Sequence, residues 1–283
     1  MDYLNELLKK EYNNINIIND RYVTLRVNIL KSNNNEIIDI LDKNNIKYEK
    51  VSYYDNAFII KNVHEDTIKE LDIYKDGKIY LQSLSSMLPP LVLNVKSNSN
   101  FLDMCAAPGS KTSEVASLLN NNVLITACER NKKRYERLKY NLEHLGVKKC
   151  TVMNIDARDL NEYMRFDYIL LDTPCTGTGT ITNTNKDSFK LTKDILDKIT
   201  NTQISLLNKG LSLLNKNGYL LYSTCSILKE EDEDIINKII DNNYEIMPIN
   251  IDSSIELLPS NIGIKIKPNN LYEGFYMCLI HKL

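Results

Sequence analysis

No stretch of this 283-residue chain stays apolar for the ~18 residues that a membrane-crossing helix needs. Its first residues mix acids with bases where a signal peptide would place an apolar segment. Neither membrane insertion nor export is expected. There are only three histidines, and the six cysteines (Cys105, Cys128, Cys150, Cys175, Cys225, Cys278) show no C-x-x-C spacing. A zinc site or a disulfide framework is therefore not expected, and a reducing cytoplasmic setting suits the free thiols. A net charge of −2 is too little positive charge to hold nucleic acid by bulk electrostatics, although it leaves room for a local basic face. Repeats and long low-complexity blocks are missing as well.

The stretch that organises the chain is Phe101-Leu-Asp-Met-Cys-Ala-Ala-Pro-Gly-Ser-Lys-Thr112. A short apolar run gives way to small residues, then to a helical pattern from about Lys111. Strand, tight turn, helix is the arrangement that aims backbone N–H groups at a ligand. A Walker loop would need glycine where Cys105 and Ser110 stand, and a dinucleotide G-x-G-x-x-G is absent. S-adenosylmethionine, a cationic nucleoside held by carboxylates as well as backbone, is the third reading. An ordinary turn between strand and helix is the plain alternative.

Ahead of this stretch, residues 1–20 read as a short amphipathic helix (Leu4, Leu7, Leu8) running into a polar linker. A strand at 22–30, a helix around Ile37–Leu41, strands at Tyr48–Val51 and Ala57–Ile60, a helix at His64–Leu71 and a strand at Lys78–Leu81 follow. That β-α-β-β-α-β order is the split ferredoxin-like pattern shared by RRM modules. It carries no RNP-type aromatic signature, so RNA contact and mere packing are both open for it. Ser83–Leu93 reads as a helix leading onward. The expected division is an N-terminal α+β domain at 1–93 and a second domain at 94–283.

From Phe101 the pattern alternates strand and helix, which predicts a mostly parallel sheet wrapped by helices. Strands are expected at Val123–Cys128, Cys150–Ile155, Phe166–Leu171 and Tyr219–Tyr222. Helices are expected at Asn131–Leu145, Thr202–Leu214 (closed by Asn217-Gly218) and Glu231–Ile240. Tyr244–Ile249 and Gly274–Ile280 read as edge strands.

Ligands of open α/β sheets bind beyond the carboxyl ends of the strands. Those ends carry Asp103, Glu129, Asp156 and Asp172, with Glu129 near the offset at which an acid grips ribose hydroxyls. Four successive strand ends with an acid favour a Rossmann-like domain for S-adenosylmethionine. Two further segments carry the chemistry. In Asp172-Thr-Pro-Cys-Thr-Gly-Thr-Gly179 the glycines permit close approach to a substrate. An exocyclic-amine methyltransferase would place an aromatic residue where Cys175 stands. Tyr222-Ser-Thr-Cys-Ser226 puts a thiol at a strand end, ahead of a helix whose N-terminus would stabilise its thiolate. The acids at Glu230–Asp234 oppose this, unless they point to solvent along their helix. Cys128, Cys150 and Cys278 lie in apolar strand-like runs and read as structural.

Asp103–Thr112, Asp172–Gly177 and Tyr222–Ser226, in this order, resemble the RsmB/Nop2/Sun family of RNA cytosine-5 methyltransferases. Arg26-Val-Asn28 and Gln82–Pro89 are similar to segments ahead of that family's catalytic domain. The resemblance runs over about residues 22–283. The short chain leaves no room for a PUA or NusB-like appendage, and it looks most like the compact archaeal-type tRNA enzymes. What the resemblance implies is a S-adenosylmethionine site at Cys105, Ala106, Ala107, Pro108, Gly109, Ser110 and Lys111 with Glu129, Asp156 and Asp172, and with Arg134 matching a cofactor-pocket arginine. Cys225 matches the nucleophile, and Cys175 the second cysteine that assists product release. Ser110, Thr173 and Thr176 replace the commoner Gly, Ala and Ser. Thr180–Phe189 stands where relatives often carry basic residues and a Trp.

The implied substrate is RNA, tRNA before rRNA, and the implied state is a monomer without metal. Cytosine C5 is a poor nucleophile. Thiolate addition at C6 makes it enamine-like, which splits one hard step into two. Asp172 would meet the base's N3/N4 edge, and the base must be unstacked to be reached. The helix Arg130–Lys149 carries eight basic residues against Glu136 and Glu143. It reads as a solvated face or as a phosphate-binding one. A methyltransferase acting on an exocyclic amine and a non-catalytic RNA-binding factor are the alternatives; intact Cys225 and Cys175 speak against the second.

Overall fold

A computed structural model describes residues 2–12, 20–186 and 189–283. Helix α1 (Asp2–Tyr12) comes first, and the linker expected after it falls mostly on residues 13–19, outside the described residues. Leu4 of α1 packs with Ile181, Leu191, Leu196 and Leu228, far along the chain, and not on the sheet that follows α1 in sequence.

That sheet has four strands: β1 (Val23–Val27), β2 (Tyr48–Lys50), β3 (Ala57–Ile60) and β4 (Ile79–Leu81). Their order is β2-β3-β1-β4 with every pair antiparallel, as the split ferredoxin-like pattern requires. Helix α2 (Asn34–Lys43) is opened by Asn33, whose side chain accepts from the Glu36 N–H, and it buries Ile37 and Leu41 one turn apart. These meet Leu25, Phe58, Ile60 and Ile79 in a separate small core. The helix expected at His64–Leu71 is two short ones, α3 (Glu65–Glu70) and α4 (Asp72–Lys75), because Leu71 between them is extended.

Helix α5 (Leu84–Leu93) starts at Ser83, which accepts from the Ser86 N–H, and packs with Phe101 and Phe275 of the second sheet and with Val115 of the helix that follows Phe101. That sheet contains β5 (Asn100–Asp103), β6 (Leu124–Cys128), β7 (Cys150–Met153), β8 (Phe166–Asp172) and β9 (Leu214–Thr224), in the parallel order β7-β6-β5-β8-β9. Strand order reverses between β5 and β8, and a crevice at the carboxyl ends is the consequence. Helices α6 (Ser110–Leu118), α7 (Lys132–His144), α8 (Lys193–Leu213) and α9 (Glu233–Ile239) connect the strands. Beyond β9 lie β10 (Tyr244–Met247), β11 (Leu257–Leu258), β12 (Ile264–Ile266) and β13 (Phe275–Lys282), all paired antiparallel. The sheet is therefore mixed and not mostly parallel.

Three expectations need correction. The segment read as an edge strand at Gly274–Ile280 is β13, an inner strand between β9 and β12, with Phe275, Tyr276, Met277 and Cys278 all buried. An apolar run without alternation is what burial on both faces produces. Helix α8 begins at Lys193, not Thr202; its first turns bury only Leu196, too little periodicity to read. Asn217-Gly218 does not close a helix. It lies inside β9, beside a register shift opposite Phe166 and Tyr168.

Candidate active site

The turn after β5 is shaped by Gly109, whose φ of 105° suits glycine and whose added Cβ would sit 3.1 Å from Leu138 Cδ1. Asp103 beneath it accepts from Thr112 Oγ1 at 2.6 Å and from the Cys105 N–H at 3.4 Å. Two clefts open on either side of this turn and meet at Cys105.

The first cleft is floored by Met104, Ile155 and Leu206 and rimmed by Glu129, Arg134 and Asp156. Glu129 is buried. One of its carboxylate oxygens accepts from the Asn131 N–H at 2.7 Å, and the other lies 3.2 Å from Arg134, which also donates to the Ala107 carbonyl at 2.7 Å. Asp156 takes a two-pronged bond from Arg158 at 2.9 and 2.7 Å, with Arg130 at 3.7 Å. The Arg158 hydrogen bonds pull its carboxyl down to about 2. An apolar floor between the two acids Glu129 and Asp156 fits a nucleoside that carries a positive sulfonium.

The second cleft is lined by Ala106, Ala107, Pro108, Ser110, Lys111, Asp172 and Cys225, with Tyr80 and Gln82 from the first sheet's side. Lys111 stands among them with its Nζ 2.8 Å from Asp172 and 2.8 Å from Ser86 Oγ. The structure thus places Lys111 beside Asp172 and away from the lining of the first cleft. Ser223 holds the other Asp172 oxygen at 2.8 Å. Burial opposes the Lys111 charge, but Asp172 and Asp103 more than restore it, so the ammonium persists.

Cys175 and Cys225 are brought together, their sulfurs 3.0 Å apart, although they lie fifty residues apart in sequence. Both are free thiols. The bond to Cys225 and then burial push the Cys175 thiol well up. Two expectations around Cys225 fail. Residues 226–232 separate it from α9, so no helix N-terminus follows it directly; Lys111 is the positive charge that interacts with it. Nor do the acids after it all face solvent: Glu231 and Asp232 are fully buried. Asp232 pairs with buried Lys265 at 3.2 Å, and Lys265 also meets Glu11 and Tyr12 of α1. Glu231 carries no sequence signal beyond an acidic run, so nothing local marks its burial. On α7, Lys132 pairs with Glu136 and Lys139 with Glu143, while Arg134, and Arg130 just ahead of the helix, turn toward the first cleft, so the basic face is weaker than its composition.

Two predictions arise here. Gly179 packs on Gly274, and a Cβ would fall 1.9 Å from the Gly274 carbonyl oxygen. Gly179 N–H also bonds the Cys225 carbonyl at 2.9 Å. Gly179→Ala must push these loops apart, at ~1–3 kcal/mol in stability and a disproportionate loss of turnover. Urea melts alongside rate measurements check it; a variant with wild-type rates would show that the contact does not set the site.

The second concerns protons. Burial lifts Asp103 to about 6 and Glu114 of α6 to about 7, against about 4 in an unfolded chain. The folded state therefore holds these protons more tightly, so their stabilising contribution is full below about pH 4 and is lost as pH rises through 6–7. Glu114→Gln, which cannot ionise, should gain on wild type by on the order of 2 kcal/mol between pH 5 and pH 8. Unfolding free energies of both proteins at both pH values test the sign.

The family model described as 16S rRNA methyltransferase RsmB/F matches residues 90–281, which include the first cleft, most of the second and both cysteines. The chain belongs to this RsmB/F methyltransferase family. Ribosomal RNA small subunit methyltransferase F of Shewanella pealeana is 33% identical over 238 residues, covering 77% of this chain and 49% of that protein. The probable ribosomal RNA small subunit methyltransferase B of Bacillus subtilis is 32% identical over 230 residues, covering 80% and 50%. The chain thus spans about half the length of these curated relatives. Among solved structures, a methyltransferase homolog protein from Pyrococcus horikoshii superposes with a TM-score of 0.81 at 30% identity, covering 93% of this chain and 87% of that one. NSun6 from the same organism, solved with SFG, shares the fold at a TM-score of 0.84 and 22% identity, over 99% and 94% of the two chains. Both solved structures thus share the fold described here.

Proposed function

We propose that this chain is an S-adenosylmethionine-dependent RNA (cytosine-5)-methyltransferase. The observation that carries the reading is the pair of thiols 3.0 Å apart at the carboxyl edge of the sheet, Cys225 lining the same cleft as the Lys111–Asp172 ion pair. In the first cleft, Glu129, Asp156 and the Met104–Cys105 turn would hold the adenosine part of S-adenosylmethionine, with Arg134 orienting Glu129. When bound, that molecule supplies the methyl group.

Cys225 adds as thiolate to C6 of an unstacked cytosine, favoured by the neighbouring Lys111 charge. The electron pair of the C5–C6 bond moves toward C5. Asp172, fixed by Lys111 and Ser223, faces the base's N3/N4 edge and accepts from its N4 amino group, while the Lys111 ammonium steadies the negative charge that develops on addition. After C5 is methylated its proton passes to solvent water, leaving the C–H electron pair on the ring. The C5–C6 double bond then re-forms and Cys225 departs with the electron pair of the C–S bond. Cys175 keeps its proton in the free protein and donates a hydrogen bond to that departing sulfur.

RNA is the substrate class. The motif resemblance to archaeal-type tRNA enzymes supports tRNA, and the names of the curated relatives support small-subunit rRNA. Incubating the chain with labelled S-adenosylmethionine and each RNA, followed by bisulfite sequencing, tests both points. Labelled product that remains bisulfite-convertible, with the label on an exocyclic nitrogen, would replace this reading by the amine one.

A further inference from the structure

The two thiols come from different loops, and a single buried carboxylate reaches both. Glu231 Oε1 accepts from the Thr176 N–H at 2.8 Å and from Gln203 Nε2 at 3.0 Å. Its Oε2 accepts from Ser226 Oγ at 2.6 Å and from Thr176 Oγ1. Thr176 follows Cys175 and Ser226 follows Cys225. Gln203, in turn, donates to the carbonyl of Pro174, the residue before Cys175, at 3.0 Å. The Tyr222 hydroxyl pins the Glu231 backbone carbonyl at 2.6 Å.

Among the described residues no Lys or Arg lies within ion-pair distance of Glu231, although the residue is fully buried. Burying a carboxylate without a counter-charge is costly, and four donors are what make it tolerable. A neutral side chain would serve stability as well, so the arrangement calls for a reason in geometry. Other bonds join the two segments before the thiols, Thr173 N–H to the Ser223 carbonyl, and after Cys175, Thr178 to Ser226 and Gly179 N–H to the Cys225 carbonyl; Glu231 bonds the residue that follows each thiol.

We propose that Glu231 is a positioning residue: it fixes the residues flanking Cys175 and the residue after Cys225, and thereby sets how closely the two thiols approach. The consequence for turnover rests on the covalent reading above; the consequence for thiol spacing does not. Disulfide closure therefore serves as a ruler. Diamide takes the two thiol hydrogens onto its N=N bond as Cys175 and Cys225 join, and peptide mass mapping identifies the bridge. In folded protein well below its melting temperature, Glu231→Ala should close this bridge at least about tenfold more slowly than wild type. Its kcat should fall about 100-fold while KM for RNA stays within about twofold. Glu231→Gln keeps the length but cannot accept from all four donors, and should fall between the two. Closure and turnover at wild-type rates in Glu231→Ala would overturn the proposal. If that variant does not fold, Glu231→Gln decides: about fivefold slower closure supports the proposal and parity overturns it. A wild-type chain that methylates no RNA would remove the functional reading and leave closure rates to judge Glu231.

Discussion

Cys225→Ala and Cys225→Ser lower RNA methylation by ~10^4-fold or more, and neither variant forms any protein–RNA adduct. The serine variant is the sharper of the two. It keeps the size and the hydrogen-bonding capacity of the side chain, but a hydroxyl does not ionise beside Lys111 as a thiol can. Because Ser226 and Thr224 hold the local backbone through Glu231 and Asp232, either change leaves the loop standing. The loss would then report chemistry and not collapse. Rates with saturating RNA and S-adenosylmethionine, together with a denaturing gel for adduct, give the result directly.

Cys175→Ala produces the opposite gel. Adduct formation needs only Cys225, whereas release needs the departing sulfur to be stabilised by the thiol 3.0 Å away. Removing that thiol should slow turnover by ~10²–10⁴-fold, in the range of a lost proton-handling group, and let an SDS-stable complex build up toward one RNA per protein. Combining Cys175→Ala with Cys225→Ala should abolish the complex. If Cys175→Ala turned over normally with no adduct, Cys175 would be a packing residue and the sulfur contact incidental.

Much of this was legible in the sequence where local pattern and chemistry coincide. The turn at Cys105–Lys111, the acids at four strand ends and the thiols at 175 and 225 all fall where alternating strands and helices must open a crevice. The N-terminal sheet follows from its β-α-β-β-α-β order. What stayed hidden depends on contacts distant in sequence. β12 is three residues long, and β13 looks like an edge until its partners β9, β10 and β12 are known. An acidic run at Glu230–Asp234 reads as solvated because nothing nearby in sequence shows the four donors that converge on Glu231, or the Lys265 that meets Asp232. Lys111 belonged to the turn motif, yet its ammonium reaches Asp172 and Ser86 because α5 packs on α6, a contact that spacing alone does not give.

One measurement tests the central claim most directly. RNA bound covalently to Cys175→Ala can be digested with nuclease and the protein mapped by peptide mass. The added mass of a methylated cytidine nucleotide on the peptide that contains Cys225 is the predicted result. Methylated RNA released with no nucleotide on that peptide, or a nucleotide attached elsewhere, would contradict the account.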